Sequence, residues 1–179
     1  MKKLILVNGI PASGKSRVAR LLADHFNAPV LSIDEIKEPF MVQFADVIDR
    51  PLNRKLGYAA YEAMFNIVKA APEKSLFIMD AWFGFRDKSI LADYLSLSGC
   101  QHHVEVWNKI SPEQVAQRYK SRCSCRVKGH PGEEYIPELM QLAERACPMQ
   151  LGDVYTLLQD REINRAGLIS WINQQLNCN

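Results

Sequence analysis

"LILVNGIPASGKSRVARLLADHF", residues 4–26, joins an apolar run, a glycine-bearing turn and an amphipathic repeat in 23 residues. The opening run has the length and the unbroken apolar character of a strand covered on both faces. Val18, Leu21, Leu22 and Phe26 recur at the spacing of one helical face. Between them lies G-x-x-x-x-G-K-S, with Gly9, Gly14, Lys15 and Ser16 in register. In a strand–turn–helix context that spacing converges backbone N–H groups on a phosphate chain, brings a lysine ammonium to its outer oxygens and offers a hydroxyl to magnesium. The helix N-terminus adds its positive dipole end to the same anion site. Gly9, Pro11, Ala12, Ser13, Gly14, Lys15 and Ser16 are therefore the candidate nucleotide-binding residues.

The rest of the chain repeats the alternation. "APVLSID" ends in Asp34, "KSLFIMD" ends in Asp80, and "HHVEVWN" and "DVYTLLQ" supply two more strands. Helices are predicted over 52–71, 88–98, 111–122, 137–146 and 165–176, with a further one broken around Pro39. Alternating strands and helices imply a parallel sheet covered on both faces, with ligands beyond the carboxyl ends of its strands. Three of those ends carry chemistry: the glycine turn, Asp34 and Asp80.

At 179 residues, 47% hydrophobic and 23% charged, the chain reads as a single domain over 1–179 with a full core. A net charge of +2 makes long nucleic acid an unfavoured partner. The N-terminal apolar run is too short for a secretory signal, and no later run is long enough to cross a membrane. Five irregularly spaced cysteines suggest free thiols and a cytoplasmic home.

Phosphoryl transfer needs positioned phosphates, a metal, cations for spreading charge and a group that orients the attacking oxygen. Asp80 is the candidate magnesium carboxylate together with Ser16. Asp34 is the candidate for accepting or holding a substrate hydroxyl, and equally a candidate N-cap for a helix starting at Glu35. "RYKSRCSCRVKG" places Arg118, Lys120, Arg122, Arg126 and Lys128 around a helix end and a loop. Arg122 and Arg126 are the candidates for phosphate contact from a lid over about 122–133, with Arg118 assigned to the nucleotide. Cys123, Cys125, Cys147 and His130 form a second, irregular set whose C-x-C spacing is tight for structural zinc, and ordinary thiols are the simpler reading. Trp82, Phe83, Phe85 and Arg86, with Phe40 and Met41, are either pocket wall or core.

"GIPASGKS", "LSIDEI", "LFIMDAWF", "VEVWNKISPEQVAQRYKSR" and "RVKGHPGEEY" together resemble the small P-loop kinases, in particular the chloramphenicol phosphotransferase-like and related AAA-type kinase-like ATP-binding proteins. The resemblance runs over nearly the whole chain. It implies a three-layer α/β P-loop NTPase fold, with a central five-stranded parallel sheet and a short lid. It implies ATP and magnesium bound through Lys15 and Ser16, a hydroxyl-directed Asp34, a strand-end Asp80 and lid arginines at Arg122 and Arg126. The segment "SRCSCRVKG" departs from the antibiotic kinases, so what is implied is a reaction type: phosphorylation of a hydroxyl on a small molecule. A nucleoside, nucleotide or polynucleotide 5′-kinase, and a regulatory module that binds ATP without transfer, are the alternatives.

Overall fold

The computed structural model describes residues 1–177, arranged as a five-stranded, wholly parallel sheet with helices on both faces. The strands are β1 (Lys2–Asn8), β2 (Val30–Ser32), β3 (Leu76–Ala81), β4 (Cys100–Lys109) and β5 (Asp153–Leu158), in the spatial order β2-β3-β1-β4-β5. The helices are α1 (Lys15–Phe26), α2 (Ile33–Gln43), α3 (Arg50–Ala70), α4 (Lys88–Leu97), α5 (Pro112–Cys123), α6 (Ile136–Arg145) and α7 (Arg165–Leu176). The expected fold class is the observed one.

The two-residue period of β1 divides the core. Leu4 and Leu6 face a cluster with Tyr61, Phe65 and Val68 of α3 and Leu91 and Leu95 of α4. Ile5 and Val7 face the opposite layer, where Val18 and Leu22 of α1 meet Leu168 and Ile172 of α7. Burial on both sides explains why the central strands read as continuous apolar runs. A third cluster, with Ile10, Val115, Tyr119 and Leu139, seats α5 and α6 beside the loop after β1.

Two boundaries differ from the sequence expectation. β2 stops at Ser32, whose Oγ accepts from Glu35 N at 3.4 Å and caps α2. Asp34 therefore lies in the first helical turn, where its charge suits the dipole, and is not itself the cap. α2 also runs unbroken through Pro39. The proline removes one intrahelical donor, but burial of Lys37 and Met41 on one side holds the remaining turns in line.

A buried carboxylate ties the sheet together behind the glycine turn. Glu105 is 2% exposed and accepts from Asn8 Nδ2 at 2.6 Å and from the backbone N–H groups of Met149 and Gln150, each at 2.9 Å. Glu105→Ala strands three donors in the interior, so a loss of about 3 kcal/mol is expected. Thermal denaturation would register it as a fall of roughly 10 °C.

Candidate active site

The turn after β1 is shaped by two glycines. A Cβ on Gly9 would collide with Ser13 Oγ and press on Asn108, while Gly14 sits at φ +94°, where a side chain is strained. Ser13 N donates to Ile10 O at 3.1 Å and closes the turn, and Lys15 Nζ rests 3.4 Å from the Ile10 carbonyl. Polar contacts fix the strand ends below: Asn108 Nδ2 donates to Asn8 O, and Gln159 Nε2 donates to Asn108 Oδ1. Arg118 completes this brace, donating to Ser13 O at 3.3 Å and Gln159 O at 2.8 Å. Its guanidinium thus holds the loop from the side of α5.

Above the loop opens a cleft of about 480 Å³ lined by Pro11, Ala12, Lys15, Ser16, Asp34, Arg122 and Arg126. These seven expected site residues reach it from three helices and two loops, with Pro11 and Ala12 on the glycine turn and Arg126 arriving from the segment after α5. Asp34 lies 3.2 Å from Lys37 Nζ and 3.7 Å from Arg126 Nη2. Burial pushes its carboxyl up, but Lys37, Lys15 and Arg126 outweigh burial and hold it down at about 2. Asp80, paired in register with Val7 and Ser32, is 3% exposed, and its Oδ1 has no hydrogen-bond partner among the described residues. A buried, unpartnered carboxylate oxygen at a strand end fits a hydrated divalent cation.

The segment 124–132 is fastened over the cleft at several points. Tyr119 Oη donates to Pro131 O at 2.7 Å, Asn53 Nδ2 donates to Gly129 O at 2.7 Å, and Arg126 Nη1 donates to Tyr119 Oη at 3.2 Å. His130 Nε2 lies 2.9 Å from Glu38 Oε1, with its ring almost wholly covered. Burial, then Arg126 and Lys37, push the imidazole down to about 4, so this contact is a hydrogen bond from a neutral ring. Burial and Asp34 push Glu38 upward.

Unfolding releases His130 to its ordinary value, so the unfolded chain takes up a proton between pH 6.5 and about 4. Its contribution to stability is complete above that window and lost as pH falls through it. Thermal midpoints measured from pH 7 to 4.5 are expected to fall less steeply in His130→Gln than in wild type.

The alternative metal set does not assemble. Among the described residues the one group of three potential ligands is Asp34, Glu38 and His130, without Cys123, Cys125 or Cys147. Lys37 and Arg126 already balance its charge. Cys100, Cys123, Cys125 and Cys147 are unpaired thiols, and Cys178 lies outside the described residues. Of the aromatic candidates, Trp82 and Phe85 line the cleft, Phe83 and Met41 are core, and Phe40 is exposed on the surface. Arg86 stacks 4.2 Å over the Tyr58 ring and does not line the cleft. Sequence reasoning missed Arg50, Asn53, Arg54 and Gly57, which line the cleft from one stripe of α3. Their i, i+3, i+4, i+7 spacing was the available signal, set opposite the more conspicuous apolar face.

The overall fold is shared with solved proteins. A candidate kinase from Chloroflexus aurantiacus superposes with a TM-score of 0.77 at 22% identity, over 98% of each chain. The fold is that of the P-loop kinases. Chaetomium thermophilum Kti12, solved with ADP-AlF3, matches at 0.68 and 19% identity, over 97% of this chain and 98% of its own. Shikimate kinase from Acinetobacter baumannii, solved with shikimate, matches at 0.61 and 17%, over 98% and 93%. No protein-family model matches the P-loop kinase-fold chain described here, and no curated protein matches it in sequence. Among its described residues no helix is long and apolar enough to cross a membrane.

Proposed function

We propose that the chain is a kinase that transfers the γ-phosphoryl group of ATP to a hydroxyl of a small molecule. The observation that carries this reading is one cleft holding Lys15, Ser16, Asp34, Arg122 and Arg126, with the unpartnered Asp80 oxygen at the neighbouring strand end. Lys15 and the loop N–H groups hold the outer phosphates, and Ser16 and Asp80 hold magnesium. The metal, when bound, draws charge off the phosphate oxygens. The likeness to Kti12 solved with ADP-AlF3 supports a nucleotide at this turn.

The acceptor oxygen forms its bond to the γ-phosphorus as the bond to the β–γ bridging oxygen breaks, and ADP leaves with that electron pair. Charge builds on the transferred group's outer oxygens, where Lys15, Arg122 and Arg126 stabilise it. A carboxyl at about 2 is a weak base, so Asp34 accepts the hydroxyl's hydrogen bond and aims its oxygen. A loose transition state asks for little more, and the hydroxyl proton passes late to an oxygen of the transferred phosphoryl group, which releases it to solvent. Residues 122–133 act as the lid that brings the two arginines down and excludes water. Unpaired thiols and the need for ATP support a reducing cytoplasm as the setting of the reaction.

A coupled ADP-release assay with magnesium ATP and a panel of hydroxylated small molecules tests the reading. Turnover is expected to rise with one acceptor class, and Asp80→Ala is expected to lower it roughly a hundredfold. ATP binding with no acceptor response would favour the second reading, a nucleotide-binding regulatory module. A 5′-kinase acting on nucleic acid would instead show binding of a labelled strand that weakens steeply with salt.

A further inference from the structure

The cleft is strongly unbalanced in charge. Lys15, Lys37, Arg50, Arg54, Arg122 and Arg126 line it against two carboxylates, Asp34 and Glu138. Magnesium ATP brings a net charge of about −2, which leaves positive charge over once a nucleotide is bound. Most of these cations already have a task. Lys37 and Arg126 are paired with Asp34, Arg50 is 2.9 Å from Glu138, and Lys15 and Arg122 face the phosphates in the mechanism above.

Arg54 is the exception. Its Nε donates to Tyr58 Oη at 2.7 Å, and its guanidinium lies 5.6 Å over the Tyr58 ring. Tyr58 is in turn stacked on Phe85, 5.8 Å between centroids and 11° from parallel. These contacts orient the guanidinium, while its terminal N–H groups meet no acceptor among the described residues. A planar fork with free parallel donors matches a carboxylate or phosphate. One turn further along the same stripe, Gly57 leaves open space where a side chain would stand.

We infer that the acceptor is an anion bearing a carboxylate or phosphate ester, and that Arg54 grips this group while Asp34 aims the hydroxyl. Trp82 and Phe85 wall the body of the molecule between those two points. The inference rests on the kinase reading and narrows its substrate class. Arg54 is exposed, so with a neutral alcohol its fork stays solvated, and the preference for an anion comes from the charge-assisted pairing that only an anion supplies.

The test loads the full chain with magnesium and the β,γ-imido analogue of ATP, then titrates inorganic phosphate as the probe by calorimetry. Phosphate is expected to bind the loaded protein, at least tenfold more weakly in Arg54→Gln. Lys55→Gln removes the same charge from a neighbouring position that does not line the cleft, and is expected to change the affinity less than twofold. Absence of phosphate binding, or equal weakening by both substitutions, would overturn the inference and leave the kinase reading standing. Failure of the analogue itself to bind would defeat the kinase reading, and this inference with it.

Discussion

Lys15→Ala is expected to lower acceptor-stimulated ATP turnover about a thousandfold while leaving the thermal midpoint within a degree or two of wild type. Among the described residues the ammonium makes one hydrogen bond, the long 3.4 Å approach to Ile10 O, so little folding energy depends on it. Its proposed main partner is the phosphate chain. Removing one positioned donor from a developing oxyanion costs on the order of 10²–10³ in rate, and here the donor is also charged. Steady-state kinetics beside a melting curve checks both halves. A matching collapse in stability would mean that Lys15 is structural and that its substitution says nothing about transfer.

Asp34→Asn is expected to reduce kcat roughly a hundredfold with a small change in KM for ATP. The amide keeps the shape but cannot balance Lys37 and Arg126, both within 4 Å of the carboxylate, so the hydroxyl faces a weaker, uncharged acceptor and the cations lose their anchor. The wild-type pH profile separates aiming from proton abstraction. A carboxyl held at about 2 is fully ionised throughout the working range, so kcat should show no acid limb from Asp34 between pH 6 and 8. An acid limb in that range, lost in Asp34→Asn, would instead mark Asp34 as a base whose carboxyl is raised in the loaded enzyme.

The glycine turn was legible because its spacing is local: seven consecutive peptide units decide it, and the flanking periodicities say strand and helix without help from the rest of the chain. Asp80 was legible for a related reason, since an acid closing an apolar run has few places to go in a parallel sheet. Asp34 was found, but its setting was misjudged. The sequence reads "LSID" as one strand, and only the fold reveals that Ser32 takes the cap and turns the chain before Asp34. Arg118 shows the opposite limit. Nothing local reveals that its guanidinium meets Ser13 O, 105 residues away.

The acceptor side stayed hidden because it is tertiary in origin. Arg54 and His130 become meaningful only when α3 and the segment after α5 close over Asp34 and Glu38. In sequence, "RPLNRKLGY" is a basic helix start whose apolar face attracts the eye, and His130 sits among cysteines that suggest metal. In the folded chain the histidine is a neutral fastening between two elements, and the cysteines stand elsewhere.

The central claim is phosphoryl transfer to an alcohol, and the product tests it most directly. Wild-type protein and Lys15→Ala would be incubated with magnesium ATP and a pool of small hydroxylated acids and sugar phosphates, with ³¹P NMR following the γ-phosphorus. The account predicts a new phosphate-ester resonance that grows with ADP in wild type and is absent in Lys15→Ala. ADP accompanied only by inorganic phosphate across the whole pool, or an ester formed equally well without Lys15, would contradict it.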